Sequence, residues 1–148
     1  MKFSFLIVFT FMITIGPICF ANQTPPSAAL QKVVEDYIAL YTKDSLDQWK
    51  TLFHPSVMVF FPAEDGGITP RNLDEFVERQ RNYFATRKAI TERLENVQIL
   101  EGRRIARVVA DFIFIDEGAE RAGKLGLHLV EGNNGWKIVS VLFSYNNP

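Results

Sequence analysis

The sequence predicts an α+β domain, with N-terminal helices packed on one face of a curved antiparallel sheet. Three observations carry this. Apolar residues recur at helical spacing between Ser27 and Phe84. Beyond Arg87 the period shortens to two, the alternation of strands with one buried face. The breaks between those later segments are short and contain glycine, so neighbouring strands run antiparallel. Helices grouped ahead of a run of strands belong to the α+β class. The chain has 148 residues, 47% of them hydrophobic, which suits one domain with a real core. An aromatic share of 13% and a net charge of -1 exclude intrinsic disorder. No nucleic-acid partner is expected, since 16 basic residues are offset by 17 acids.

The first helix starts at Ser27, a capping residue that follows Pro25-Pro26. Leu30, Val33, Val34, Tyr37, Ile38 and Tyr41 make one apolar face along it. A shorter helix follows Asp44-Ser45, with Leu46, Trp49, Leu52 and Phe53 inward, and His54-Pro55 ends it. Val57 to Phe61 is β-branched and aromatic, a short strand closed by Pro62. A polar loop spans Ala63 to Ile68, and Thr69-Pro70 starts a third helix with proline at the first position. Asn72 and Glu75 offer an alternative start as a capping box. Leu73, Phe76, Val77, Tyr83 and Phe84 form the apolar stripe of this helix. Strands follow over Ile90–Leu100, Ile105–Ile115, Lys124–Glu131 and Trp136–Tyr145. Their turns fall at Glu101-Gly102, Asp116-Glu117-Gly118 and Gly132-Asn133-Asn134-Gly135.

Residues 1–21 read as a secretory signal. Lys2 supplies the positive start, Phe3 to Ile15 is apolar, and Gly16-Pro17 break the run. Cys19 and Ala21 then place small residues before a cut ahead of Asn22. The apolar run is shorter than the roughly 20 residues of a membrane-spanning helix, so no stable anchor is expected after cleavage. The expected location is the periplasm or the exterior. Residues 22–27 form a linker and 28–148 a single domain. The lone Cys19 leaves with the signal, which excludes a disulfide framework and a cysteine-based zinc cluster.

Two stretches carry a family resemblance. Asp44-Ser45-Leu46-Asp47 leads to Leu52-Phe53-His54-Pro55-Ser56-Val57, a turn, a short helix and the approach to a first strand. Gly135-Trp136-Lys137-Ile138-Val139, followed by Ser144, forms a closing strand. In this order and spacing they resemble the nuclear transport factor 2-like superfamily, in particular its SnoaL-like branch, over residues 28–146. The resemblance implies a cone: a curved antiparallel sheet wrapped on a long helix and open at one end over a largely apolar pocket. Members include ketosteroid isomerases, polyketide cyclases and dehydratases, alongside proteins with no known catalysis, and many are homodimers. Fold therefore implies a pocket and leaves its use open.

Residue chemistry narrows that use. Ketosteroid-isomerase-like members place a carboxylate just before the proline that ends the first strand, where this chain has Phe61. A phenyl ring accepts no proton, so that base is missing. The closing strand lacks the histidines of active SnoaL-like members; Ser140 and Ser144 are its polar groups on the face shared with Ile138. Asp111 and His128 remain as candidate acid and base, each set in an apolar strand. One strand register makes them an Asp–His dyad; a tighter hairpin sets Arg107 opposite His128 instead. Two readings stand, an acid–base pair in the cone or two groups satisfied on the convex face. Tyr37, Tyr41, Trp49, Phe60 and Tyr83 are candidate ligand contacts or plain core, and Ser140 and Ser144 are candidate ligand contacts.

With His54 and His128 as the only histidines and no clustered carboxylates, no metal site is expected. No phosphate-binding glycine loop or serine-nucleophile elbow is present, so no cofactor is expected. The leading expectation is an exported homodimeric protein holding a small apolar or amphipathic molecule. The alternative is a cofactor-independent dehydratase, isomerase or cyclase.

Overall fold

The computed structural model describes residues 25–63 and 66–146. The expected signal, the first residues of the linker, and Glu64 and Asp65 lie outside them. Three helices, α1 (Ala28–Ala39), α2 (Leu46–Lys50) and α3 (Leu73–Thr86), pack against one six-stranded sheet. Its strands are β1 (Phe53–Pro62), β2 (Ile68–Arg71), β3 (Ile90–Glu101), β4 (Ile105–Asp116), β5 (Ala119–Gly132) and β6 (Gly135–Tyr145), in the order β2-β1-β6-β5-β4-β3. The sheet is curved and unclosed, and the α+β expectation holds. It is mixed, however: β1 lies parallel to β6, while every other neighbouring pair is antiparallel. Strands β3 to β6 form a meander, and the β1–β2 hairpin, which precedes α3 in the chain, adds at the β6 side.

Helix α1 is capped by Ser27, whose hydroxyl accepts from the Leu30 amide and donates to Glu101 at the end of β3. That second bond ties the helix start to the sheet. The helix ends at Ala39, so Tyr41 stands in the following turn. Helix α3 starts on the Asn72 capping box, with Asn72 and Glu75 exchanging both bonds. Thr69-Pro70 therefore does not begin that helix. It belongs to β2, a short edge strand paired with Val59 to Pro62. Proline lacks a ladder donor and is tolerated at such an edge. Likewise His54-Pro55 starts β1 rather than ending α2.

The concave face of the sheet is the core. Val57 and Val59 of β1, Val108 and Phe112 of β4, Leu127 and Leu129 of β5, and Ile138 and Val141 of β6 are buried there. Leu30, Val34 and Tyr37 of α1 pack on them, together with Trp49, Phe76 and Phe84. Trp49 is the aromatic hub, its ring centroid 4.6 Å from Phe53, 5.1 Å from Tyr41 and 5.6 Å from both Tyr37 and Phe76. Its indole N–H donates to the Tyr37 carbonyl at 2.8 Å, which satisfies a donor that burial would otherwise leave at a cost.

Candidate functional site

The wide end of the sheet holds a cavity of about 420 Å³ between α3 and the inner faces of β1, β3, β4, β5 and β6. Its floor is Tyr37, Tyr41, Trp49 and Phe76; its walls include Phe61, Phe112, Phe114, Leu125, Phe143 and Tyr145. Phe61 stacks on Phe143 at 5.5 Å, and Tyr145 packs edge-on to Phe112 at 5.2 Å. Alternation makes this wall, since Phe112, Phe114, Phe143 and Tyr145 occupy the inward phase of their strands.

Among the described residues one carboxyl lines the cavity. Glu92 sits on β3 between the half-buried Ile90 and Leu94, directly opposite Phe114 of β4. Burial pushes its carboxyl up to about 7, with no ion pair or hydrogen bond among the described residues to hold the charge. Ionised Glu92 would in turn hold up the phenols of Tyr37, Tyr41 and Tyr145, which are raised first by their own burial.

The mouth is positive. Arg71 of β2, Arg79 of α3, Arg87 just beyond α3 and Arg121 of β5 all line it. Arg87 and Arg121 are engaged: Arg87 reaches Asp116 at 3.5 Å, and Arg121 donates to the Tyr83 hydroxyl at 3.2 Å. Tyr83 donates in turn to Asp116 at 2.7 Å, so these four groups form one brace. The other oxygen of Asp116, Oδ1, is buried without a partner. Arg71 lies 4.0 Å above the Phe61 ring, and among the described residues neither it nor Arg79 has an acidic partner within ion-pair distance.

The sequence-predicted residues divide between the two faces. Tyr37, Tyr41, Trp49 and Tyr83 line the cavity. Tyr41 donates to Gln80 Oε1 at 2.6 Å across the floor. Phe60, Asp111, His128, Ser140 and Ser144 stand on the outer face. The β4–β5 hairpin closes on a two-residue turn, Glu117-Gly118, both with positive φ, and this is the tighter register. It sets His128 opposite Arg107 and Asp111 opposite Lys124. The Asp–His dyad is therefore not assembled, because the two residues stand four ladder positions apart, or roughly 13 Å. Asp111 is instead ion-paired with Lys124 and accepts from Asn96 at 2.7 Å, and those partners hold its carboxyl below the ordinary range. The serines move for a different reason. Val139 is an extra residue in β6, since His128 pairs with Ser140 while Leu129 pairs with Ile138. This bulge reverses the phase, so Ser140 and Ser144 leave the face of Ile138 and Val141 takes it.

Glu92, Arg71, Arg79, Arg87 and Arg121 were not singled out from the sequence. For Glu92 and Arg121 the signal exists: each sits at the inward phase of its strand, where a charge is out of place. Arg71 carried none, because its strand was read as the start of a helix. Among the described residues no group of three His, Cys, Asp or Glu side chains is placed to hold a metal.

A curved sheet closed by helices around an aromatic cavity defines a cone-shaped pocket protein of the nuclear transport factor 2-like class. Within that class the chain belongs to the SnoaL-like domain family, whose model matches residues 30–148. A protein from Streptomyces avermitilis, named as a candidate dehydratase of the nuclear transport factor 2-like family, superposes with a TM-score of 0.67. It is 12% identical over 81% of this chain and 95% of its own. A candidate ketosteroid isomerase from Shewanella frigidimarina gives 0.63 at 20% identity, covering 80% of this chain and 96% of that one. Bd1075 from Bdellovibrio bacteriovorus gives 0.66 at 12% identity over 78% of this chain, which spans 39% of the Bd1075 chain. At these identities the likeness establishes the fold. No curated protein gives a significant sequence match.

Proposed function

We propose that this is an exported protein that binds a small, mostly apolar molecule in its cone and works as a homodimer. The observation that carries the reading is the cavity itself: about 420 Å³, walled by aromatic rings and open at the arginine-lined end. A volume of that order suits a ligand of one to three fused rings or a short chain. Export rests on Lys2, the apolar run to Ile15 and the small residues before Asn22. The homodimer rests on the outer face, where Phe60, Leu142, Gly126 and Val109 lie in one row across four strands. Leu142 and Val109 are 43% and 39% exposed in the single chain. The test is native mass spectrometry on the protein purified from its own exported compartment. A dimer carrying a co-purifying small molecule, with chains beginning at Asn22, is the expected result. A monomer that takes up no small molecule would overturn it.

A second reading is favoured by Glu92. A cofactor-independent dehydratase, isomerase or cyclase needs a group that both gives and takes a proton near neutral pH. Glu92 is the one carboxyl among the described residues that line the cavity, and burial sets it near 7. Asp111 and His128, on the outer face and far apart, do not supply that pair. Under this reading Glu92→Gln abolishes turnover of the co-purified molecule while leaving it bound. Retained turnover in that variant would take the role from Glu92, and a parent chain that leaves the molecule unchanged would return the weight to binding alone.

A further inference from the structure

The cavity has two polar ends of different character. At its inner wall is Glu92, which no arginine is close enough to acidify. At its mouth are four arginines, two of them with their charge already spent on the Tyr83–Asp116 brace. The remaining two, Arg71 and Arg79, both line the mouth and repel each other, and neither is ion-paired with any of the described residues.

Arg71 is held in place. Its backbone is fixed in β2 opposite Val59, and its guanidinium lies 4.0 Å over the Phe61 ring. A guanidinium over a ring face keeps its N–H donors available for an anion, and among the described residues none of those of Arg71 is engaged in a hydrogen bond or ion pair. Arg79 projects from α3, is exposed, and lines the same opening. Beside it, the Gln80 amide has its oxygen taken by Tyr41, which leaves its NH₂ as a further donor. Donors thus converge on the mouth from a strand and a helix, and Glu75, whose charge acts on Arg71, is occupied in the α3 capping box.

Two like charges held together at the rim of an apolar cavity are costly unless an anion joins them. An oxyanion between two guanidinium forks would remove that repulsion and gain charge-assisted hydrogen bonds. We propose that the cone selects an amphipathic anion, with a carboxylate, sulfonate or phosphate head clasped by Arg71 and Arg79 and an apolar ring system or chain among Phe61, Phe112 and Phe143. This rests on the cavity-binding reading and names the chemical class it admits. The neutral end of such a ligand points toward Glu92, where a hydroxyl or carbonyl finds a hydrogen-bonding partner.

The test uses a matched pair of fluorescent probes that share one apolar body. 1-Anilinonaphthalene-8-sulfonate carries an anionic head, and N-phenyl-1-naphthylamine lacks it. Both are titrated into the full chain and into an Arg71→Gln/Arg79→Gln variant. The sulfonate is expected to lose at least tenfold in affinity in the double variant, and the neutral probe to stay within twofold. Arg79→Gln alone, which disturbs no stacking, should weaken the sulfonate severalfold. Arg107→Gln on the outer face should change neither probe. If the sulfonate binds the double variant as well as the parent, or Arg107→Gln weakens it equally, the head-group proposal falls while the cavity reading stands. Equal loss of both probes in the double variant would also overturn it, because the arginines would then be shaping the cavity rather than reading charge. If neither probe binds the parent chain, both proposals fail together.

Discussion

Glu92 shows how one side chain sets the behaviour of the site. Its carboxyl is raised from an ordinary value of 4.5 to about 7, by burial. Between those two values the folded chain holds a proton that the unfolded chain has released, so stability falls as pH rises through this window and levels off above it. Glu92→Gln has no charge to bury. Its advantage over the parent should be small at pH 4.5 and grow to at most about 3 kcal/mol by pH 8. Urea unfolding of both chains at a series of pH values measures this, and a gap that does not widen would show that the charge is compensated. Asp111 and His128 make the opposite case. Each was conspicuous in the sequence as a polar group in an apolar strand, yet each lies on the outer face. Asp111→Asn and His128→Ala should leave ligand affinity in the cone unchanged within twofold, as read by the same probe titrations. A larger loss from either would mean that the outer face communicates with the cavity.

At the scale of elements, what was legible depended on whether a local pattern had one physical solution. The period of two in β3 to β6 had one as to the kind of element, because extended backbone is what turns alternate side chains to one face. Ser27 and the Asn72–Glu75 box likewise mark helix starts that local bonding alone decides. Thr69-Pro70 had two solutions, the first turn of a helix or an edge strand, and pairing with β1 chose the second. That choice hid Arg71, and with it part of the mouth. The β6 bulge at Val139 left no trace in the alternation and moved two predicted contacts to the wrong face. Gly123 shows how tightly these strands then fit. A Cβ there would come 2.4 Å from the Phe112 ring and 2.4 Å from the Ser144 carbonyl oxygen. The ring can turn aside, but the carbonyl belongs to the β5–β6 ladder and cannot. Gly123→Ala should therefore cost about 1–3 kcal/mol in denaturant unfolding, typical of overpacking. An unchanged midpoint would mean that the two strands separate more easily than their pairing implies.

Across the whole molecule, the sheet divides the chain into a face that encloses and a face that is still exposed. The enclosing face is complete, with helices covering its narrow end and the cavity at its wide one. The outer face is banded. A polar row of Glu95, Asp111, Lys124 and Ser144 lies beside the apolar row of Val109, Gly126, Leu142 and Phe60. Beyond that a further row holds Arg107, His128, Ser140 and Met58. An apolar row flanked by polar ones suits a self-complementary contact, since a two-fold axis through its centre lays apolar on apolar and sets the polar rows against each other. Gly126, lacking a side chain, lets a partner's ring or leucine approach the backbone in the middle of the row. If this surface makes the proposed homodimer, Leu142→Glu places two carboxylates in the middle of the contact. It should raise the dimer dissociation constant by at least a hundredfold, seen as monomer in sedimentation velocity at micromolar concentration. The cavity lies on the opposite face, so probe affinity in the resulting monomer should remain within twofold of the parent. A parent chain that already sediments as a monomer at those concentrations would dispose of the homodimer. A Leu142→Glu chain that stays dimeric would place the contact elsewhere.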